Sequence, residues 1–330
     1  MPSLPPAVAE IRLAVRTALA ELPEGATFIV ALSGGADSLA LAAAVGFEAP
    51  KLGLRAASLT VDHGLQEGSD AVALRAAKTA AVLGLDPLVV RVEVGEEGGP
   101  EAAARDARHR VLRDAASDVA AAAVLLGHTL DDQAETVLLG LARGSGATSL
   151  QGMAPVREDD DGLRWIRPLL GVRRETTRAF CAASDIEFWD DPHNSESRFA
   201  RVRVRERVLP VLESELGPGI AEALARTAEQ MREDAEAFDE MIHETIEDIV
   251  EHAEAGISVS VAALAANPAA LRNRIIRLVV DSEFGASLTR TQTVEVARLA
   301  TDWSGQGPID LPGCSATRVG GRIVFTASGR

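Results

Sequence analysis

The chemistry in this chain starts at residues 33–38, which read Ser33-Gly34-Gly35-Ala36-Asp37-Ser38 and follow an apolar run, Ala26–Leu32. Gly34 and Gly35 permit backbone conformations and close approaches that a side chain forbids. Between a strand and a helix N-terminus, their N–H groups can converge on phosphate oxygens, and the helix dipole favours the negative charge. Ser33 and Ser38 add hydroxyl donors. Asp37 is the informative member, because a carboxylate beside a polyphosphate is repulsive unless a cation lies between them. That combination implies Mg²⁺. A bare Ser-Gly-Gly could be an ordinary capped turn; the whole string in a strand–helix context points to phosphate binding. The Lys-Ser/Thr ending of a Walker A loop is absent, which argues against γ-phosphoryl transfer of that type.

A second group of reactive types lies at Gly127-His128-Thr129 and Asp131-Asp132-Gln133-Ala134-Glu135. Spacings of three and four place Glu135 beside Asp132 or Asp131 on one helix face. Acidic residues in a first turn are common dipole partners. Three carboxylates near a phosphate site are harder to explain that way, since they would repel a nucleotide unless they hold a cation. His128 could orient a carboxylate or bond the strand end. His63, after a second strand, could lie against a nucleoside or bond its own turn. Arg105 and Arg108 could neutralise phosphate charge, contact RNA or be solvated.

Arginines then crowd the stretch 164–207, with Arg164, Arg167, Arg173, Arg174 and Arg178 followed by Arg198, Arg201, Arg203, Arg205 and Arg207. Such a patch can hold nucleic-acid phosphates. An extended chain would point 201, 203, 205 and 207 to one side, whereas a helix would spread them. Trp165, Phe180, Phe188, Trp189 and Phe199 could stack on unpaired bases or fill a core.

These residues need a scaffold, and the pattern supplies one. Strand-like runs at Ala26–Leu32, Leu54–Val61, Pro87–Val94 and Ala121–Leu126 alternate with helical patterns at Ser38–Val45, Ser69–Leu83, Pro100–Ala116 and Leu130–Arg143. That alternation gives βαβ units, hence an α/β fold with a doubly wound parallel sheet. Ligands bind such sheets at the carboxyl ends of the strands. Ser33–Ser38, Asp62-His63-Gly64 and Gly127-His128-Thr129 all fall at strand ends and so share one rim. From Gly219 to about Ala255 a helical pattern is dense in acids, the mark of a solvated face. The tail reads as a small C-terminal α/β domain with a helix around Pro268–Asp281. The expected division is 1–212, a linker over 213–255, and 256–330.

The bulk properties set limits. At 330 residues the chain has room for two domains or three. Its net charge of −16 opposes nucleic-acid binding as a whole. Screening makes charge local, however, so the arginine stretch can act independently of the total. Lysine occurs only at 51 and 78, and no function follows from that bias. Cys181 and Cys314 lack any ligand spacing, which argues against zinc, iron–sulfur or disulfide roles and fits the cytoplasm. The first residues read as an amphipathic helix, and no membrane partner is expected.

The string 33–38 resembles the signature of the PP-loop ATP pyrophosphatases, which bind the pyrophosphate of ATP while forming a substrate adenylate. Further segments are similar to the tRNA(Ile)-lysidine synthases within them: Val61-Asp62-His63-Gly64-Leu65, Glu101 with Arg105 and Arg108, Gly127 to Thr136, Arg143-Gly144-Ser145-Gly146, Arg167-Pro168-Leu169-Leu170, and Trp189 with Asp191 and Asn194, followed by Arg201, Arg203 and Arg205. They run in family order over about the first two thirds of the chain. Leu311-Pro312-Gly313 resembles the tail of the compact form. Gln66 and Thr129 depart from the family, which often has a basic residue and His there.

The resemblance implies a two-step reaction on the wobble cytidine of an isoleucine tRNA with a CAU anticodon. ATP adenylates the cytosine O2 and releases pyrophosphate; free L-lysine then attacks C2 and expels AMP. Ser33, Gly34, Gly35, Ala36 and Ser38 would hold the phosphates, Asp37 and Asp132 the metal, and Asp131 and Glu135 the lysine. His128 could relay a proton from the attacking amine. A homodimer is compatible with the sequence. Competing readings are another PP-loop enzyme, such as a tRNA thiolase or an amide-forming synthetase, and a non-catalytic ATP sensor.

Overall fold

The structure, a computed structural model, describes residues 4–62, 64, 68–92, 100–144, 146–190, 196–253 and 256–328, excluding the side chains of 100–104. His63, Leu65, Gln66, Ser145, Asp191, Asn194 and the side chain of Glu101 therefore lie outside the described residues. The chain divides into two compact units, Met1–Arg232 and Glu233–Arg330.

The first unit is built on six strands: β1 (Thr27–Ala31), β2 (Arg55–Asp62), β3 (Asp86–Arg91), β4 (Ala123–Leu125), β5 (Val156–Glu158) and β6 (Arg164–Ile166), in the order β3-β2-β1-β4-β6-β5. Neighbours pair in parallel except β5 with β6, which form an antiparallel hairpin. The helices are α1 (Pro6–Leu19), α2 (Ala36–Glu48), α3 (Ser69–Val82), α4 (Pro100–Asp118), α5 (Leu130–Arg143), α6 (Ala147–Leu150), α7 (Arg174–Ala183), α8 (Ala200–Arg203) and α9 (Leu209–Leu216). A π-helical turn, Val204–Val208, joins the last two.

Both faces of β1 are covered, as a parallel sheet requires. Phe28 and Val30 enter a core with Ile11 of α1, Leu39 and Leu41 of α2, and Phe180 of α7. Ile29, between them, enters a second core with Leu59, Leu112 of α4, Val124 and Trp165. The period-two alternation of side chains thus produces the two-faced winding. Strand order reverses at β1, which lies between β2 and β4. The loops after β1 and β4 are therefore neighbours at the point where such sheets bind ligands.

The expected strands and helices of 26–143 are present within a few residues, and α5 coincides with the expected Leu130–Arg143. The stretch after 144 is more structured than its loops suggested. It contributes two strands and helix α7, short elements without a long periodic signal.

The acidic stretch forms α10 (Ile220–Ile249), within which the unit boundary falls. Ala221, Ala228, Ala235, Ile242 and Ile249 recur every seventh residue and are buried, while Glu233, Asp234, Glu236, Asp239, Glu240, Glu244, Glu247 and Asp248 are exposed. The solvated acidic face holds. The helix stops before Ala255, however, where the chain turns into a strand.

The second unit is a five-stranded antiparallel sheet of β7 (Val250–Ala253), β8 (Gly256–Ser260), β9 (Ile309–Leu311), β10 (Cys314–Val319) and β11 (Arg322–Ala327), ordered β7-β8-β11-β10-β9. Helices α11 (Val261–Ala266), α12 (Ala269–Phe284) and α13 (Arg290–Thr301) complete it. Ile275, Ile276, Val279 and Val296 share its core with Val259, Ile323 and Phe325. Among the described residues, no helix is long and apolar enough to cross a membrane.

Candidate active site

Ser33–Ser38 turns the chain from β1 into α2. Gly34 adopts φ +84°, a conformation side chains disfavour, and its carbonyl accepts from the Trp189 N–H at 2.9 Å. Ser38 is buried; its hydroxyl accepts from the Ser33 N–H at 3.2 Å and donates to the Gly35 carbonyl at 3.0 Å. No side chain caps the start of α2, so its first N–H groups stay available to an anion. The segment after β4 comes close: a Cβ on Gly127 would sit 3.2 Å from the Ser38 backbone, so only glycine fits there without displacement. The loops after β1 and β4 do share a rim.

The acidic residues of α5 are brought together with Asp37, and arginines join them. Arg174, the first residue of α7, is the hub. Its guanidinium donates to Asp132 at 2.7 Å and Glu135 at 3.2 Å and lies 3.6 Å from Asp37, while its backbone N–H donates to Asp131 at 2.8 Å. Arg205 donates to both Glu135 oxygens at 2.7 and 3.0 Å and stands 3.6 Å from Asp132. Arg201 lies 3.7 Å from Glu135 and donates to Thr136 at 3.0 Å. Arg173 approaches Asp131 at 3.8 Å. Glu135 is completely buried, a position a carboxylate tolerates only when paired and hydrogen-bonded.

The chain's own guanidinium groups pair with these carboxylates. The spacing of 201, 203, 205 and 207 resolves in favour of helix. Arg201 and Arg205, four apart, face Glu135, whereas Arg203 turns to the carbonyls of Ser197 and Arg198. Thr177 was not among the expected site residues, and Arg174 and Arg205 were expected to hold nucleic-acid phosphates, not the carboxylates of α5. Thr177 is buried on α7, and its hydroxyl makes a short hydrogen bond to Asp37. No local spacing could have found these partners, which lie 39 to 140 residues from the groups they bind.

Thr129 has a defined task. Its N–H and hydroxyl both donate to Asp132, each at 2.8 Å, closing the capping box at the start of α5.

Titration follows from this geometry. Burial would raise the Asp132 pKa, but Arg174 and the Thr129 N–H and hydroxyl hold it below the usual carboxylate value. Asp37 goes the other way: burial outweighs Thr177 and Arg174 and raises its pKa. Arg174 is raised, since the surrounding carboxylates overcome burial. His128 is pushed down to about 4, first by burial and then by Arg167, Arg201 and Arg108 against the opposing pull of Asp132. It is a neutral imidazole near pH 7. Arg105 is exposed on α4 and, among the described residues, joins none of the α5 ion pairs. Its charge instead bears on Arg108, His109 and Arg167.

A cavity of roughly 160 Å³ opens beside these ion pairs, lined by Asp131, Glu135, Arg173, Arg174, Arg205, Leu209, Pro210, Glu213 and Ala221. It presents both signs of charge and an apolar wall.

Comparison with known proteins agrees with the geometry. Residues 10–212 match the PP-loop domain family, and residues 260–324 match the TilS substrate binding domain. The tRNA(Ile)-lysidine synthase of Leifsonia xyli subsp. xyli is 59% identical over 306 residues, covering 92% of this chain and 91% of that protein. That of Streptomyces coelicolor is 49% identical, covering 97% and 98%. The solved U34-tRNA thiolase NcsA of Methanococcus maripaludis superposes with a TM-score of 0.59 at 18% identity, covering 69% of this chain and 80% of that one, a likeness of fold alone. With both family domains matched and relatives this similar over nearly its whole length, the chain belongs to the tRNA(Ile)-lysidine synthase family.

Proposed function

We propose that this protein ligates free L-lysine to C2 of the wobble cytidine of a CAU-anticodon isoleucine tRNA, using ATP and releasing AMP and pyrophosphate. The observation that carries the reading is the two-signed cavity beside the α5 ion pairs. Arg173, Arg174 and Arg205 suit the carboxylate of the amino acid, Asp131, Glu135 and Glu213 suit its ammonium groups, and Leu209, Pro210 and Ala221 suit its methylenes. In the first step the cytosine O2 attacks the α-phosphorus, and pyrophosphate leaves into the turn formed by Ser33, Gly34, Gly35, Ala36 and Ser38. In the second the ε-amine adds to C2, loses a proton and expels AMP. Positioning and charge neutralisation carry most of such a transfer. His128, whose pKa is lowered to about 4, holds a proton weakly, so it suits a neutral hydrogen-bonding role near the attacking amine better than a lasting proton acceptor.

Asp37 and Asp132 fit Mg²⁺. Both are hard oxygen donors paired with the Arg174 guanidinium, which would have to give way to the ion. The described residues contain no cluster of three or more acidic, His or Cys ligands, so remaining ligands would come from substrate phosphates and water. The metal would neutralise charge on the phosphates. Residues 1–212 form the nucleotide-binding part in this reading, 213–255 a linker, and 256–330 a tRNA-binding part. A thiolase reading is disfavoured because both cysteines are buried and burial pushes the Cys181 thiol up to about 11.

Incubation with tRNA, ATP and labelled lysine tests the proposal. The expected products are lysidine in the nucleoside digest and AMP and pyrophosphate in equal amounts, dependent on both tRNA and lysine. Uncleaved ATP, or ADP in place of AMP, overturns it.

A further inference from the structure

A second group of cations adjoins the site through His128. Arg167, just past β6, donates to the Ala154 carbonyl at 2.7 Å, and its Nε is buried without a hydrogen-bond partner. Arg232 donates to the carbonyls of Gln151 and Met153 at 2.6 and 2.8 Å. Gln133 pins the same strap through Met153, at 2.9 and 2.7 Å. The charges of Arg157, Arg105 and Arg232 all bear on Arg167, whose pKa burial and these neighbours lower to about 10. Arg157 is held by Asp159 at 2.8 Å. Among the described residues, Arg167 and Arg232 have carbonyl partners but no carboxylate. The Nδ1 of His128 is also buried without a partner.

This is unusual in a chain with 49 acidic residues and 33 basic ones. A part-buried guanidinium without a counter-charge is costly, and buried nitrogens without partners add to the cost. An anion supplied from outside would relieve both. The planar guanidinium groups suit a phosphate, which they can grip through two parallel hydrogen bonds. The pyrophosphate of ATP already has the uncapped start of α2 and the serine hydroxyls, so the second group is left for another phosphate.

We propose that Arg167 and Arg232, with His128 at the inner edge, form a subsite for a phosphodiester of the RNA strand beside the nucleotide being modified. The proposal rests on the reading of this chain as an enzyme that acts on tRNA.

Arg167→Gln and Arg232→Gln test it, since an amide can still bond the strap carbonyls while the charge is lost. Affinities for tRNA across a salt series and for ATP are measured beside thermal unfolding of each variant. Each is expected to weaken tRNA binding about 3- to 10-fold and to reduce the slope of log K against log salt by roughly 0.7 to 0.9, the value for one phosphate. ATP affinity should stay within about twofold. Arg167→Lys, which keeps the charge, should restore the slope. An unchanged slope in both folded variants, or a loss confined to ATP, overturns the subsite. Lysidine formation by the unaltered chain is followed in parallel, so failure of the activity and failure of the subsite are read separately.

Discussion

The α5 carboxylate cluster and the cationic group around Arg167 are neighbours that treat buried charge in opposite ways. In the first, Asp37, Asp131, Asp132 and Glu135 meet Arg173, Arg174, Arg201 and Arg205, and the charges balance inside the protein. In the second, guanidinium groups gather with carbonyls as their main company. His128 touches both fields, drawn up by Asp132 and down by Arg167, Arg201 and Arg108. The difference teaches that charge near a phosphate site can serve two ends. A balanced cluster sets geometry, whereas an unbalanced one, on the proposal above, takes an anion.

The largest expected effect comes from breaking the balanced side. Arg174→Ala strips Asp132 and Glu135 of a shared cation, and losing one partner of a buried pair costs about 3–5 kcal/mol. Calorimetry should show the melting temperature of the variant falling by roughly 6–20 °C at the usual scaling for a domain of this size. A drop of a degree or less would mean that Arg205 and Arg201 suffice. Asp37→Asn acts on chemistry instead. Pyrophosphate release should fall by about two orders of magnitude, the usual loss for one charge-stabilising group. Its circular dichroism should match the parent, and unimpaired turnover would remove Asp37 from the metal site.

His128 sharpens the contrast through pH. Its folded pKa of about 4 lies below the ordinary 6.5, so between these values the unfolded chain binds a proton that the folded chain refuses. Stability from this group is complete above about pH 6.5 and is lost as pH falls toward 4. Denaturant midpoints measured through that window should decline less steeply in His128→Gln; an identical decline would place the proton elsewhere. The smallest effect belongs to Thr129→Val, which removes one of two donors to Asp132 and should cost about 1 kcal/mol. Equilibrium unfolding of α5-bearing protein would detect it, and a neutral result would leave the Thr129 N–H as the sufficient cap.

Much of the scaffold was legible. The alternation of apolar runs and helical patterns over 26–143 located β1 to β4 and α2 to α5, because side-chain periodicity is a local property of a sheet covered on both faces. The turn Ser33–Ser38 and the acids of α5 stood out by type and spacing. What escaped was α7, whose ten residues carry Arg174 and Thr177, and the β5–β6 hairpin, whose strands are three residues each. The arginines of 164–207 read as one RNA-facing patch, yet Arg174, Arg201 and Arg205 turn inward to Glu135.

The amino-acid order alone determined the wound sheet, the glycine turn after β1 and the presence of carboxylates at its rim, since each is written in neighbouring residues. Only the tertiary structure decided which cation answers which carboxylate. Ion pairing depends on distance in space, and the partners of Glu135 lie 39 to 70 residues away along the chain. It also decided which arginines, among the described residues, are left without a carboxylate, because that condition is a property of the packed neighbourhood and not of any segment.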